Sequence, residues 1–284
     1  MSAPQAPKRS DSLANWFFTY TKLRFLTRMR RLLCSNAVRR QQPPPEKAVD
    51  IDTGTDKQAQ KAEDVYMAAK LEGPDGWMVA LQRSVKRLHF GSWEEKEVAA
   101  EEIKKLAEQD LKRRKTMAEL GVIPPLVAMV GSEVVARQRL AVRALIELAN
   151  GSLTNKVLMM EAGIISKLPG NVAVLEETAR QEFAQLLLSV SALANTQFSH
   201  TSARIIPTVV SILESSSNTI ETEELCLSAL CNLSSVLDNC RTLIVTGVVN
   251  TLTRLASVKE VSEKIPGNVG KLGCNLSRTE SVGA

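Results

Sequence analysis

Only two histidines, His89 and His200, occur in 284 residues, and they stand far apart. Neither a histidine-based catalytic triad nor a histidine-rich metal site is expected. The five cysteines are Cys34, Cys226, Cys231, Cys240 and Cys274, and no two form a C-x-x-C pair. An odd count without that spacing argues against zinc ribbons and thiol redox chemistry. It fits a reduced compartment in which the last four are small core residues. No apolar run approaches the roughly 18 residues expected of a membrane span. Aromatic residues make up 4% of the chain. The core is therefore expected to be built from Leu, Val, Ile and Ala, as helices packed on helices require.

Strings that suggest chemistry are incomplete. Gly267-Asn268-Val269-Gly270-Lys271-Leu272 lacks a glycine at Ile265 and a Ser or Thr after Lys271. Without those it reads as a turn between repeats, not a phosphate cradle. Glu94-Glu95 and Glu223-Glu224 read as solvated helix faces. No residue set supports an enzyme, and no cofactor or small-molecule substrate is expected.

Charge is unevenly spread. Residues 1–45 hold nine Lys or Arg against one acid, Asp11, which gives this segment +8. The whole chain is +5, so the remainder is −3. The basic character belongs to an arm, and nucleic-acid binding by the body is not expected. Residues 1–40 are expected to be a mostly disordered basic arm. Lys22, Arg24, Arg28, Arg30 and Arg31 lie among Trp16, Phe17, Phe18, Tyr20 and Phe25. That mixture suits contact with an anionic membrane. An inert tail, organelle targeting and nuclear localisation are alternatives. Residues 41–75 read as a linker, opened by Gln41-Gln42-Pro43-Pro44-Pro45 and closed by Gly73-Pro74-Asp75-Gly76, with a short helix around Gln58–Leu71. Proline runs cannot continue a helix, so arm and body are separate units.

The body is expected over 76–284. Its opening helix places Trp77, Leu81, Val85 and Leu88 on one stripe. Ser92 and Glu95 form a capping box for the next helix, with Val98, Ala99, Ile103, Leu106 and Ala107 on its apolar face. Internal repetition is the strongest signal. A glycine before two branched residues occurs as Gly121-Val122-Ile123-Pro124, Gly163-Ile164-Ile165 and Gly247-Val248-Val249. A degenerate copy is Arg204-Ile205-Ile206-Pro207, and successive steps are 42, 41 and 43 residues. Ala99, Ile103, Leu106 and Ala107 recur 42 residues later as Ala141, Leu145, Leu148 and Ala149. Later copies read Ser191-Ala192-Leu193-Ala194-Asn195, Ser228-Ala229-Leu230-Cys231-Asn232 and Lys271-Leu272-Gly273-Cys274-Asn275. The 48-residue step from Glu147 to Asn195 implies a longer connection near Pro169-Gly170-Asn171. A third marker, Arg113, Asn155 and Asn239, precedes each glycine by eight residues.

Each unit reads as a short helix, a glycine turn, a second helix and a longer third helix. No such unit buries its apolar face alone, so the units stack into a superhelix with an extended concave face. An all-α solenoid is expected.

From about Trp77 to Leu276 these residues resemble the armadillo repeat, with roughly four repeats and an N-terminal cap. The resemblance implies a right-handed α-α superhelix. Leu81–Val130 is similar to plant armadillo proteins related to plant U-box proteins. No Cys-Pro-Ile-type U-box segment is present, so ligase activity is not implied. The resemblance also implies a groove lined by third helices, where a recurrent asparagine binds the backbone of an extended peptide. The matching positions are Glu147, Asn195, Asn232 and Asn275. Four residues before each stand Arg143, Ser191, Ser228 and Lys271. Nuclear-import receptors of this family carry tryptophan there, so recognition of basic localisation peptides is not expected. An alternative role for the asparagines is to satisfy backbone groups between repeats.

The implied function is a protein-binding scaffold in cytoplasm or nucleus, in signalling or ubiquitin-pathway recruitment. A peripheral membrane adaptor located by the arm is the other reading. The chain stops soon after the last Asn-Leu-Ser element, and a shortened array is the corresponding expectation.

Overall fold

The computed structural model describes residues 76–215, 217–257 and 264–281. The basic arm and its five candidate contact residues, the linker and the short helix expected around Gln58–Leu71 lie outside the described residues, as does Cys34. Among the described residues every regular element is helical.

An opening pair, α1 (Gly76–Phe90) and α2 (Trp93–Gln109), precedes four three-helix units. The first is α3 (Leu111–Glu119), α4 (Ile123–Val130) and α5 (Val135–Ala149). The second is α6 (Leu153–Glu161), α7 (Ile164–Lys167) and α8 (Glu177–Ser191). The third is α9 (Ser199–Ala203), α10 (Ile206–Leu213) and α11 (Ile220–Ser234). The fourth is α12 (Leu237–Val245), α13 (Val248–Ser257) and α14 (Lys264–Ser281). The long helices α2, α5, α8, α11 and α14 pack one on the next, with the short helices behind them.

Local sequence sets these boundaries. Leu81, Val85 and Leu88 are buried on α1, as their spacing predicts. Ser92 caps α2: its Oγ accepts from the Glu95 N–H at 3.3 Å, and the Ser92 N–H donates to Glu95 Oε2 at 2.8 Å. Gly91 is required by close approach, since a Cβ there would stand 2.6 Å from the Arg87 carbonyl oxygen. Asp110 ends α2 in an extended conformation and caps α3, where its Oδ1 accepts from the Lys112 N–H at 3.1 Å. Gly121, Gly163 and Gly247 turn the chain with φ near +80°, which glycine adopts without a Cβ clash. The degenerate copy, in the third unit, makes its turn differently, with Arg204 at φ −66°. Pro124 and Pro207 sit in the first turns of α4 and α10, where a missing N–H costs nothing.

Several expectations need correction. Val98 is 51% exposed and does not belong to the apolar face of α2; Ala100 is buried instead. Cys226 and Cys240 are buried and Cys231 is half-buried, but Cys274 is exposed. The string around Gly267–Lys271 is not a turn; it lies inside α14.

The region near Pro169 also differs. The long helices begin at Trp93, Val135, Glu177 and Ile220, at steps of 42, 42 and 43 residues, so no unit is lengthened there. Pro169 instead shortens the second helix of its unit. The residue before proline is driven out of the helical region, and Leu168 has ψ 140°. The short 3₁₀ turn Val172–Val174 follows, with Val172 buried in the core.

The face of the long helices

Burial fixes the register of the repeats. Ala141, Phe183 and Cys226 take one core position on α5, α8 and α11; Leu145, Leu187 and Leu230 take another. In that register Glu147, Ser189 and Asn232 are equivalent, and Asn275 follows on α14. Arg143, Gln185, Ser228 and Lys271 form the row one turn earlier.

Asn195 is therefore not in the asparagine row. α8 ends at Ser191, and Asn195 lies in the following turn, exposed, with its Nδ2 donating to Ser235 Oγ at 2.8 Å. Ser191 is not in the outer row either. It is fully buried, equivalent to Ala149 and Ser234. The string Ser191–Asn195 resembles Ser228–Asn232, but it sits six residues late on the helical wheel. Gln185 and Ser189, which carry no such string, occupy those places.

Asn232 and Asn275 are used between repeats. Asn232 Nδ2 donates to Ser191 Oγ at 2.9 Å, and Asn275 Nδ2 donates to Ser234 Oγ at 2.8 Å. Each serine hydroxyl in turn donates back one helical turn, to Leu188 O at 2.8 Å and Cys231 O at 2.9 Å. The back-bond orients a serine lone pair toward the next helix. The signal was present in the sequence as two Ser–Asn pairs, each 41 residues apart. Asn232 Oδ1 accepts no hydrogen bond among the described residues.

Arg143 is tied down as well. Its Nε donates to Glu182 Oε1 at 2.7 Å, while Arg139 makes two 2.9 Å bonds to the same carboxylate. Two repeats further on, between α11 and α14, Asn268 Nδ2 to Ser228 Oγ at 3.2 Å occupies the corresponding place. Toward the start, Arg137 Nε bonds Glu97 Oε1 at 2.5 Å. Glu147 and Ser228 are half-buried, and Lys271 and Gln185 are exposed. Charges of both signs lie on α2, on α5 and at Glu182 of α8, the outward positions of α11 are neutral and polar, and α14 adds Lys271. None of the positions in these two rows is aromatic.

A deeper network joins α8 to the loop before α11. Arg180 is 4% exposed. Its guanidinium donates to the carbonyl oxygens of Leu175 at 2.5 Å and Ser217 at 2.9 Å, and bonds Glu177 at 2.7 Å. Gln138, one repeat earlier, reaches the Ser132 carbonyl in the same way. Glu177 Oε1 also accepts from the Thr219 N–H at 2.9 Å, and from Thr219 Oγ1 and Thr222 Oγ1 at 2.7 Å each. Burial pushes the Glu177 carboxyl up, but these donors and Arg180 outweigh it and hold its pKa at about 2. Burial, with the nearby charges of Glu177 and Glu223, pushes Cys226 up to about 12, so this thiol is inert.

Among the described residues no group of three His, Cys, Asp or Glu side chains is placed to hold a metal ion, and no helix is long and apolar enough to cross a membrane.

No family model and no curated protein matches this chain. Solved structures do. A designed armadillo repeat protein in complex with the peptide (KR)4 superposes with TM-score 0.62 at 18% identity, covering 79% of this chain and 95% of its own. A computationally designed armadillo repeat protein for modular peptide recognition gives 0.61 at 19%, covering 71% and 87%. The armadillo-repeats-only protein ARO of Plasmodium falciparum gives 0.60 at 14%, covering 80% and 100%. At these identities the likeness is one of fold, and the chain has the armadillo-type fold, a right-handed superhelix of stacked three-helix units.

Proposed function

We propose that the chain is a protein-binding scaffold that holds an extended segment of a partner along the face of its long helices. The observation that carries this is the register: α5, α8, α11 and α14 each present one accessible polar side chain at the same place, Glu147, Ser189, Asn232 and Asn275. Packed helices lie roughly 8–10 Å apart. An extended chain rises about 3.3 Å per residue, so each unit meets two to three residues of a guest. Asn232 keeps an acceptor toward that guest after its Nδ2 is spent on Ser191. Binding, not catalysis, is what such a surface offers.

The two rows hold two cations, Arg143 and Lys271, against one acid, Glu147, and no aromatic side chain, which favours a polar segment over a strongly basic one. Hydrogen bonds from the two row asparagines, Asn232 and Asn275, contribute about 2 kcal/mol, against about 8 for micromolar affinity. Side-chain contacts with Gln185, Ser189 and Lys271 must supply the difference. Recruitment in signalling or ubiquitin pathways is the finer form of this reading and rests on sequence resemblance. A second reading, a membrane adaptor, is favoured by the nine basic residues and one acid of residues 1–45.

The test is a photocrosslinking amino acid at Gln185, an exposed position of the face. It should capture a partner in cells, whereas the same group at Val245 on α12 should not. Gln185→Trp should then abolish binding of the captured partner's segment with the helical signal intact. Undiminished binding would remove the face from consideration.

A further inference from the structure

A second surface lies away from the two rows, at the turn between α1 and α2. There the chain leaves a hollow of about 140 Å³ against α4. Its apolar lining is Leu88, Trp93, Pro125, Ala128 and Met129; Lys96 and His89 supply the polar edge. That volume suits one benzene-sized or branched aliphatic group. Two aromatic side chains stand beside it in the open, Phe90 at 67% exposure and Trp93 at 43%. Burying such rings elsewhere in the chain would have been favourable, so their exposure marks a surface that gains by being covered.

The aromatic wall of the hollow is held from several sides. Trp93 is gripped by two cations, Lys96 Nζ at 5.0 Å and Arg137 Cζ at 4.9 Å from its ring centre. The turn beneath it is fixed by Gly91 and by the capping box of Ser92 and Glu95. A pre-set aromatic wall loses little entropy on binding.

Charge says what the guest must carry. Glu97 is paired with Arg137, and Glu94 and Glu95 turn back onto Ser92 at the start of α2 with their charge kept, but no acid lines the hollow itself. Lys96 makes no ion pair among the described residues, although it lines the hollow. Arg137 stands on the same ring. His89 donates through Nε2 to the Gly121 carbonyl at 3.1 Å. Burial pushes its pKa down against that hydrogen bond, so the ring stays neutral and leaves the ammonium as the charge at the rim.

We propose that this hollow is a second docking site, for a short acidic segment of a partner protein that inserts one Leu, Met or Phe side chain beside Trp93 and places a carboxylate on Lys96. It lies off the two outward rows, although Arg137, which stands on Trp93, also bonds Glu97 at the start of that face, and it does not depend on the face being a groove.

Phage-displayed random peptides of about twelve residues, selected on the full chain, test this. The expected consensus is one bulky apolar residue flanked by Asp or Glu. A synthetic peptide of that consensus should lose at least tenfold in affinity for Lys96→Glu, which reverses the charge, and for Ala128→Phe, which fills the hollow from an exposed helix position. Gln185→Trp should bind it as the unaltered chain does. A benzophenone-bearing version of the peptide should crosslink to Trp93, Pro125 or Ala128 in the unaltered chain, a readout that needs no folded variant. No such consensus, crosslinks elsewhere, affinity unmoved by both hollow variants, or loss only in Gln185→Trp would each overturn the proposal.

Discussion

Asn232 reaches across from α11 to give Ser191, the last residue of α8, a 2.9 Å hydrogen bond. The same bond recurs one repeat later, from Asn275 to Ser234. The asparagine of the outward row is thus a fastener between repeats. Both Asn232→Ala and Ser191→Ala should lower stability by about 1 kcal/mol. A double-mutant cycle in urea should give a coupling of roughly 0.5–1.5 kcal/mol. Additive single losses would show that the pair is not a working contact.

Asn195 supplies the contrast. It is exposed and beyond the end of α8, so Asn195→Ala should change stability by less than about 0.5 kcal/mol. It should also leave affinity for a groove-bound segment nearly intact, while Ser189→Trp, in the true row, should reduce it at least tenfold. Titration of one labelled peptide against both variants distinguishes them.

Glu177 makes stability depend on pH in a defined direction. Its folded pKa of about 2 lies below the ordinary 4.5. The carboxylate therefore contributes stability that is full above about pH 5 and disappears as pH falls through 2. At neutral pH Glu177→Gln should cost at most about 3 kcal/mol. The gap between variant and unaltered chain should narrow steadily in chemical melts between pH 5 and 3. A gap independent of pH would count against the carboxylate's role.

Arg180→Met should be costlier than any surface change. It strips donors from the carbonyls of Leu175 and Ser217 and leaves Glu177 without its cation. A loss of about 3–5 kcal/mol is expected. Hydrogen exchange should show the loss first in the segment 172–175 and at the start of α11. Uniform exchange changes along the solenoid would point to a different cause.

For the basic arm, liposomes containing anionic lipid should sediment the full chain, and a chain lacking residues 1–45 should stay in solution. Salt should weaken the binding, because the attraction is screened over about 10 Å at 0.1 M. Equal sedimentation of both chains would end the membrane reading.

The class of fold was legible in the chain itself. Glycines at Gly121, Gly163 and Gly247 had to mark turns with positive φ, and the apolar phase of Ala99, Ile103 and Ala107 had to recur if units stack. The capping box at Ser92 and Glu95 and the proline positions followed from local hydrogen-bond accounting. These are short-range constraints, and neighbours in sequence suffice to express them. Which asparagine shares a row with which was decided elsewhere. The string at Ser191–Asn195 looks like the next repeat's, yet burial of Phe183, Leu187 and Val190 rotates the helix so that Ser189 faces outward. Pro169 shortened a helix without lengthening the unit, and a serine was turned into an acceptor for a residue 41 positions away. Such outcomes depend on how one helix settles against another, where packing of the core outweighs any likeness between short strings.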